Sequence, residues 1–485
     1  MPAADQEIEL KFVLPDGQAE AVWQAIGGGD AKLTAMTGVY FDTAKRRLSR
    51  SGVALRVREK RGIFVQAVKL GRGVSRGEWE TAIPTAAPDR KALAGTPAAA
   101  LLPKSADLVP IFSVRVQRRT IELDEGQSRI EACLDLGEIR SGGKSTPVCE
   151  IELELLRGEV ADLFALARRL MADAPLTLSF ASKAARGYAL ADGAADRPAE
   201  LNGDMTAAQG LQALGLAALE TLTEAIAAFR ARPGPEPVHA IRVALRRLRG
   251  AIASFKAVCD DDGRAGVKEE LAWLAGELDA ARDLDVLLAD TLPAQTIEPE
   301  ALQALTDRVM VARGEAYEAA EHALEGLRTR ALLLNTLQWL SFGSWTEQPS
   351  PPLKRFAAKR LEAWRRRMRN RGRRLAELTP EERHELRIDG KKLRYDAEAL
   401  QGLFDRPKRA GKLIKALKGL QDELGALNDA KAGAERLQAL AERETGTVRE
   451  TALAVAAALK ALDDGGDKAA HKAWKRFDEA KVFWS

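Results

Sequence analysis

The sequence predicts a multidomain chain, an N-terminal antiparallel β-barrel or sandwich followed by an all-α half. Three observations carry this. Up to about residue 190, short segments alternate polar and apolar residues between Gly, Pro and Ser clusters, as antiparallel strands do. From Thr206 onward Ala, Leu, Glu, Lys and Arg dominate, with apolar residues at three- and four-residue spacing, as in packed helices. The helical half also repeats itself. His239, Arg242, Arg246, Arg247 and Arg249 recur in order and spacing as His384, Arg387, Lys391, Lys392 and Arg394. Asp283 stands 44 residues after His239 and Asp429 stands 45 after His384. Two matches at nearly equal spacing indicate a duplication, with two helical bundles related by a pseudo-two-fold.

In order, strands are expected over 7–14, 53–61, 63–70, 77–83, 114–123, 129–136 and 148–156. Helices are expected over 18–25 and 160–172. Residues 191–204, rich in Ala, Gly, Asp and Pro, read as a linker. The domains are therefore placed at 5–190 and 205–485, with repeats at about 206–342 and 350–485. Pro- and Gly-bearing breaks near 232–237, 292–299, 343–352, 379–380 and 406–407 separate the helices.

The charges on the strands are sorted. Alternation puts Glu7, Glu9 and Lys11 on one face, and likewise Arg56 with Arg58, Glu78 with Glu80, and Glu150 with Glu152 and Glu154. Two architectures accommodate this. In an open sandwich the charged faces meet solvent. In a closed barrel they line a lumen, which then needs paired charges or a charged ligand. A divalent metal with a polyanion meets that need, because carboxylates hold Mg²⁺ or Mn²⁺ while Arg and Lys hold phosphate oxygens.

These residues resemble the CYTH group, the triphosphate tunnel metalloenzymes, over about residues 5–190. The resemblance rests on Glu7, Glu9 and Lys11, then Tyr40 to Thr43, Arg56 and Arg58, Lys69, Arg76, Glu78 and Glu80, Arg118, Glu150 to Glu154, and Lys183 to Tyr188. It implies an eight-stranded antiparallel tunnel. It implies metal ligands at Glu7, Glu9, Glu152 and Glu154, with Glu150 able to replace either late-strand residue. It implies triphosphate contacts from Lys11, Arg56, Arg58, Lys69, Arg76, Arg118, Lys183 and Arg186, with Arg115 and Arg119 as further alignments. Glu78 and Glu80 would orient these cations or activate water. Glu7, Glu9, Lys11, Glu78 and Glu80 form the expected catalytic set.

On the helices, His239, Arg242, Arg246 and Arg249 share one face, and so do His384, Arg387, Lys391 and Arg394. Basic residues also crowd 354–374, and Lys408, Lys412, Lys415 and Lys418 form a further stripe. Such stripes are either solvated helix surface or sites for an anion. This half resembles the CHAD domain, the conserved histidine α-helical domain, over about residues 205–485. That resemblance implies two four-helix bundles whose basic face binds inorganic polyphosphate, with Lys412 and Lys415 among the contacts. The expected function is metal-dependent hydrolysis of inorganic triphosphate by the first domain and polyphosphate binding by the second. The alternatives are a non-catalytic or regulatory polyphosphate binder, and a triphosphatase acting on thiamine triphosphate or a nucleotide.

Bulk composition narrows the rest. The 74 Lys+Arg nearly balance 70 Asp+Glu, for a net charge of +4, so no partner is visible in the total. Three cysteines, Cys133, Cys149 and Cys259, make neither a disulfide framework nor a zinc site. No run reaches about 18 uncharged apolar residues, so no membrane span is expected. The N-terminus has no signal-peptide pattern, and a cytoplasmic location, on or near polyphosphate granules, is expected. Nucleic acid is disfavoured because the basic helices carry few aromatics for base stacking.

Overall fold

The computed structural model describes residues 5–461 and 467–485, apart from positions 16, 30, 61, 72, 73, 104 and 194–198. Side chains are likewise described except at 5, 6, 32, 60, 75, 76, 380, 425–432, 467 and 468. The chain divides into two compact units, Met1–Pro198 with Glu325–Ser341, and Ala199–Leu324 with Phe342–Ser485.

The first unit is built on an antiparallel sheet of nine strands. These are β1 (Asp5–Val13), β2 (Lys32–Asp42), β3 (Val53–Lys60), β4 (Ile63–Leu70), β5 (Ser75–Ile83), β6 (Val109–Glu125), β7 (Ser128–Ser141), β8 (Lys144–Arg157) and the two-residue β9 (Thr177–Leu178). The order is β5-β4-β3-β2-β6-β7-β8-β1-β9, and β5 also pairs with β1. In that last pairing Glu7 stands opposite Arg76 and Ile8 opposite Ser75. Two strands are additional to those expected from alternation. β2 has a weak polar–apolar pattern, carries Gly38, and shifts register between Tyr40 and Phe41; β9 is too short to show a period.

Apolar strand faces pack beneath short helices. Leu55, Val57, Val68 and Ile83 form one core with Leu48 and with Ala98 of the helix Pro97–Leu101. Tyr40 stacks on Phe112 with centroids 4.5 Å apart, and Tyr188 meets Phe112 edge-on at 5.1 Å. Buried Asp42 accepts bonds from the backbone N–H of Leu48 and of Ser49 and from the Tyr188 hydroxyl. The residues Tyr40, Asp42 and Tyr188 are thus tied together as scaffold.

The helix Leu327–Phe342, expected within the first helical repeat, belongs to this unit for most of its length. Arg330 Nη1 donates to the Met171 and Ala174 carbonyls at 3.1 and 2.7 Å, at the end of the helix Val160–Asp173. Those are carbonyls that a helix terminus leaves without intrahelical partners. Helical periodicity shows that Leu327–Phe342 has an apolar face and does not show which body covers it.

The second unit is helical. The helix Ala207–Ala231 begins with a capping box, in which Thr206 accepts from Gln209 N–H while the Gln209 side chain accepts from Thr206 N–H. By length and composition it could cross a membrane. Leu211, Leu219, Leu222, Ile226 and Phe229 are nevertheless buried along it, as in a core helix. The two histidine-bearing helices are Pro235–Ser254 and Pro380–Leu400, and they pack together. The latter also packs on Leu353–Gly372 and on Pro407–Ala441. A leucine-, valine- and alanine-rich core joins Pro299–Glu325, Pro407–Ala441 and Gly446–Ala461. Cys133 and Cys259 are buried and all three cysteines are free thiols.

Candidate active site

Strand register sorts the charged side chains into rungs. β1 lies against β8 with Glu9 opposite Glu154 and Lys11 opposite Glu152. β8 lies against β7 with Glu154 opposite Glu131, Glu152 opposite Cys133 and Glu150 opposite Asp135. β7 in turn sets Asp135 opposite Arg118 of β6. One rung is therefore Glu9, Glu154 and Glu131, all carboxylates. The next is centred on Lys11 and Glu152, and the third on Asp135, Glu150 and Arg118.

The second and third rungs form a buried ionic cluster. Lys11 Nζ, 4% exposed, lies 2.9 Å from Glu152 and 3.7 Å from Glu9 and Glu150. Lys183 enters from the first turn of the helix Lys183–Asp192, whose start is fixed by Ser182 accepting from Ala185 N–H. Its Nζ lies 2.6 Å from Asp135, 2.5 Å from Glu150 and 2.9 Å from Glu152. Arg118 donates two bonds of 2.7 Å to Asp135 and one of 2.6 Å to Glu152. Arg186 donates to Glu150 at 2.9 Å. Burial alone would raise the Glu152 carboxyl, but Lys11, Lys183 and Arg118 outweigh it and hold it well below the usual range. Burial alone would lower Lys183, and Glu152, Glu150 and Asp135 hold it well above its ordinary value.

Oxygens of Asp135, Glu150 and Glu152 come within 4.8 Å of one another, a donor set able to hold a cation. Lys11, Lys183, Arg118 and Arg186 already occupy it. The all-carboxylate rung is only weakly neutralised, with Lys11 Nζ 3.7 Å from Glu9 Oε1. Burial raises Glu7, and Glu9 and Glu78 add to this against the pull of Lys69. Glu154 is pushed up to about 7 by burial and by the charges of Glu7, Glu9 and Glu131. Glu9 Oε1 is buried without a hydrogen-bond partner. These are hard-oxygen donors of the type a divalent cation takes, crowded enough to raise one another, although among the described residues the carboxylate oxygens gathered within 4.8 Å are those of Asp135, Glu150 and Glu152.

On β3 to β5, Arg58 donates to Glu80 at 2.7 Å, Arg56 lies 3.6 and 3.5 Å from Glu78 and Glu80, and Lys69 lies 2.7 Å from Glu78 and 3.3 Å from Glu7. Nε of both Arg56 and Arg58 is buried without a partner. Burial and neighbouring Arg56 lower the Arg58 guanidinium. Gly38 sits opposite Arg58, and a Cβ there would stand 3.3 Å from Arg56 Cδ. Glu78 and Glu80 thus orient cations. Arg76 lies on β5, and its side chain falls outside the described residues. Of the alternatives near Arg118, Arg115 is exposed on the other face of β6 and Arg119 pairs with Glu20 at 2.6 Å.

Two residues of this site are missing from the sequence expectation, Asp135 and Glu131. Asp135 has a sequence signal, a lone aspartate between Leu134 and Leu136 in a strand, where aspartate is disfavoured. Glu131 has none.

In the helical unit, Arg246 and Arg394 lie over the same Tyr395 ring, at 5.2 and 4.5 Å, so the two repeat copies meet there. Arg246 is lowered by burial and by Arg394, Arg242 and Arg247, against Tyr395. His239, largely exposed, is lowered by partial desolvation and by Arg282, Arg246 and Arg242. Arg242 pairs with Asp279, and Arg394 with Gln421 at 2.8 Å and Glu398 at 2.6 Å. His384, Arg249, Lys412 and Lys415 are exposed, Lys391 is half-buried and Arg387 is buried. Asp429, expected to match Asp283, lies outside the described side chains.

Residues 5–188 match the family model of the CYTH domain, and residues 213–438 that of the CHAD domain. The chain joins a CYTH domain to a CHAD domain. Its CYTH–CHAD sequence is 32% identical over 198 residues to an inorganic triphosphatase of Haemophilus influenzae, covering 38% of this chain. The match spans 55% of that relative, about half its length. The crystal structure of the CHAD domain from the plant Ricinus communis is similar over 58% of this chain and 96% of its own, at 28% identity and a TM-score of 0.53.

Proposed function

We propose that the CYTH domain is a metal-dependent inorganic triphosphatase and that the CHAD domain binds inorganic polyphosphate. The observation that carries the first part is the division of one charged face into a carboxylate rung and a cation cluster, which suits a metal–triphosphate pair. The β1–β5 pairing supports reading the sheet as an eight-stranded tunnel around that face. The inorganic triphosphatase activity of the Haemophilus influenzae relative supports triphosphate as substrate.

Glu7, Glu9 and Glu154 would hold the divalent cation, Mg²⁺ or Mn²⁺; Glu152 is engaged with Lys11, Arg118 and Lys183. When bound, the cation offsets carboxylate charge and polarises phosphate oxygens. Lys11, Arg118 and Lys183 on one side, and Arg56, Arg58 and Lys69 on the other, bind the triphosphate oxygens and stabilise charge on the leaving pyrophosphate. These cations are held in place before substrate arrives by Asp135, Glu150, Glu152, Glu78 and Glu80, so little reorganisation is needed.

For the helical part, the two basic repeats converging on Tyr395 support a phosphate-chain surface. Phosphate release from tripolyphosphate with Mg²⁺ or Mn²⁺ tests the first part. A Glu7→Ala, Glu9→Ala double variant that releases phosphate as fast as the native chain refutes it. Polyphosphate affinity that does not weaken with added salt refutes the second.

A further inference from the structure

Asp135 is wholly buried, yet it is neither solvated nor spare. Its two oxygens take the Arg118 fork through Nε and Nη2, both at 2.7 Å, and Lys183 Nζ lies 2.6 Å away. We propose that Asp135 is a positioning residue that fixes Arg118 and Lys183 for the triphosphate, and that it is not a metal ligand. The proposal rests on the triphosphatase reading of the site.

Three features support it. First, the three Arg118 bonds use Nε and Nη2, which leaves Nη1 for a phosphate oxygen. A guanidinium held bidentately from behind has one orientation, and positioning of this kind is what phosphoryl transfer draws on. Second, the charge count is wrong for a metal. Asp135, Glu150 and Glu152 face Lys11, Lys183, Arg118 and Arg186, a surplus of one cation. An incoming divalent cation is repelled there and an incoming polyanion is attracted. Third, Asp135 stands two rungs away from the Glu9–Glu154–Glu131 set, opposite Glu150 and Arg118. A carboxylate beneath buried Lys183 and half-buried Arg118 also keeps them ionised and ordered while no substrate is bound.

The test uses the full chain and Asp135→Asn. The expected result is a kcat on tripolyphosphate lowered about 10- to 100-fold, with the Mn²⁺ concentration for half-maximal activity unchanged within about twofold. Calorimetric binding of tripolyphosphate in metal-free solution is expected to be no weaker than in the native chain, because one negative charge is gone. The proposal is overturned by an unchanged kcat. It is also overturned by a metal requirement raised about tenfold with kcat restored at saturating metal, the mark of a lost ligand. Weaker metal-free binding overturns it too. Should Asp135→Asn not fold, Arg118→Lys keeps the charge and removes the fork. Lowered kcat at an unchanged metal requirement then supports the role, and native kcat overturns it. A native chain that hydrolyses no tripolyphosphate sinks the triphosphatase reading alone, and metal-free binding then decides the role of Asp135.

Discussion

Replacing Lys183 with methionine removes one ammonium from among three carboxylates and keeps a side chain of similar length. Lys183 Nζ lies within 2.9 Å of Asp135, Glu150 and Glu152, and all four side chains are at most 11% exposed. Solvent screening is therefore weak, and an uncompensated buried charge costs about 3–5 kcal/mol. Lys11, Arg118 and Arg186 remain, which places Lys183→Met at about 3 kcal/mol of lost stability near neutral pH. The pH dependence follows from the depressed carboxyl. A Glu152 pKa below its ordinary 4.5 contributes stability that is present above that value and lost as pH falls through the folded-state pKa. The variant loses much of this contribution, so its deficit should shrink as the medium is acidified. Hydrogen exchange of the β7–β8 ladder under increasing denaturant reports this unit selectively. A deficit under about 1 kcal/mol near neutral pH, or one that grows with acid, would refute the ionic-cluster account.

Further outcomes follow from the same reasoning. Mn²⁺ affinity of the proposed Glu7, Glu9 and Glu154 ligand set should weaken by up to about tenfold per pH unit below about 7 and level off above it, since the metal must displace the Glu154 proton; calorimetry in buffers of different ionisation enthalpy measures the proton released. In the helical unit, burial pushes Asp396 up to about 6, although Ser254 and Trp364 donate to it at 2.6 and 3.0 Å. A raised carboxyl pKa favours the fold at low pH, so stability should fall by about 3 kcal/mol as pH rises from 3.8 to about 6, and Asp396→Asn should remove that slope in urea unfolding. Arg246→Ala should weaken polyphosphate binding by about tenfold at low salt and reduce the salt dependence, as read by titration at two ionic strengths.

Much of the candidate site is legible in the chain. The alternation of Glu7, Glu9 and Lys11 against Ile8, Leu10 and Phe12 is a two-residue period, and the structure buries Leu10 and Phe12 as it requires. The histidine-led repeat marks two equivalent helices, and they do pack together. What alternation does not convey is the difference among Glu150, Glu152 and Glu154. All three share one face of β8, yet one faces Asp135, one Lys11 and Cys133, and one Glu9 and Glu131. Their environments differ so far that Glu152 is held low while Glu154 rises to about 7.

The sequence by itself determined which side chains share a strand face or a helix face, because those periods depend only on neighbours along one chain segment. It therefore carried the segregation of carboxylates from cations that the net charge of +4 conceals. Only the tertiary structure decided which charges meet. Arg118 reaches Asp135 through the β6–β7 register, Lys183 comes in from a helix beyond the sheet, and the segment Glu325–Ser341 joins the first unit. Pairing energies depend on distances of a few ångströms between remote segments, and a one-residue slip in strand register would turn that strand's charged side chains to the other face.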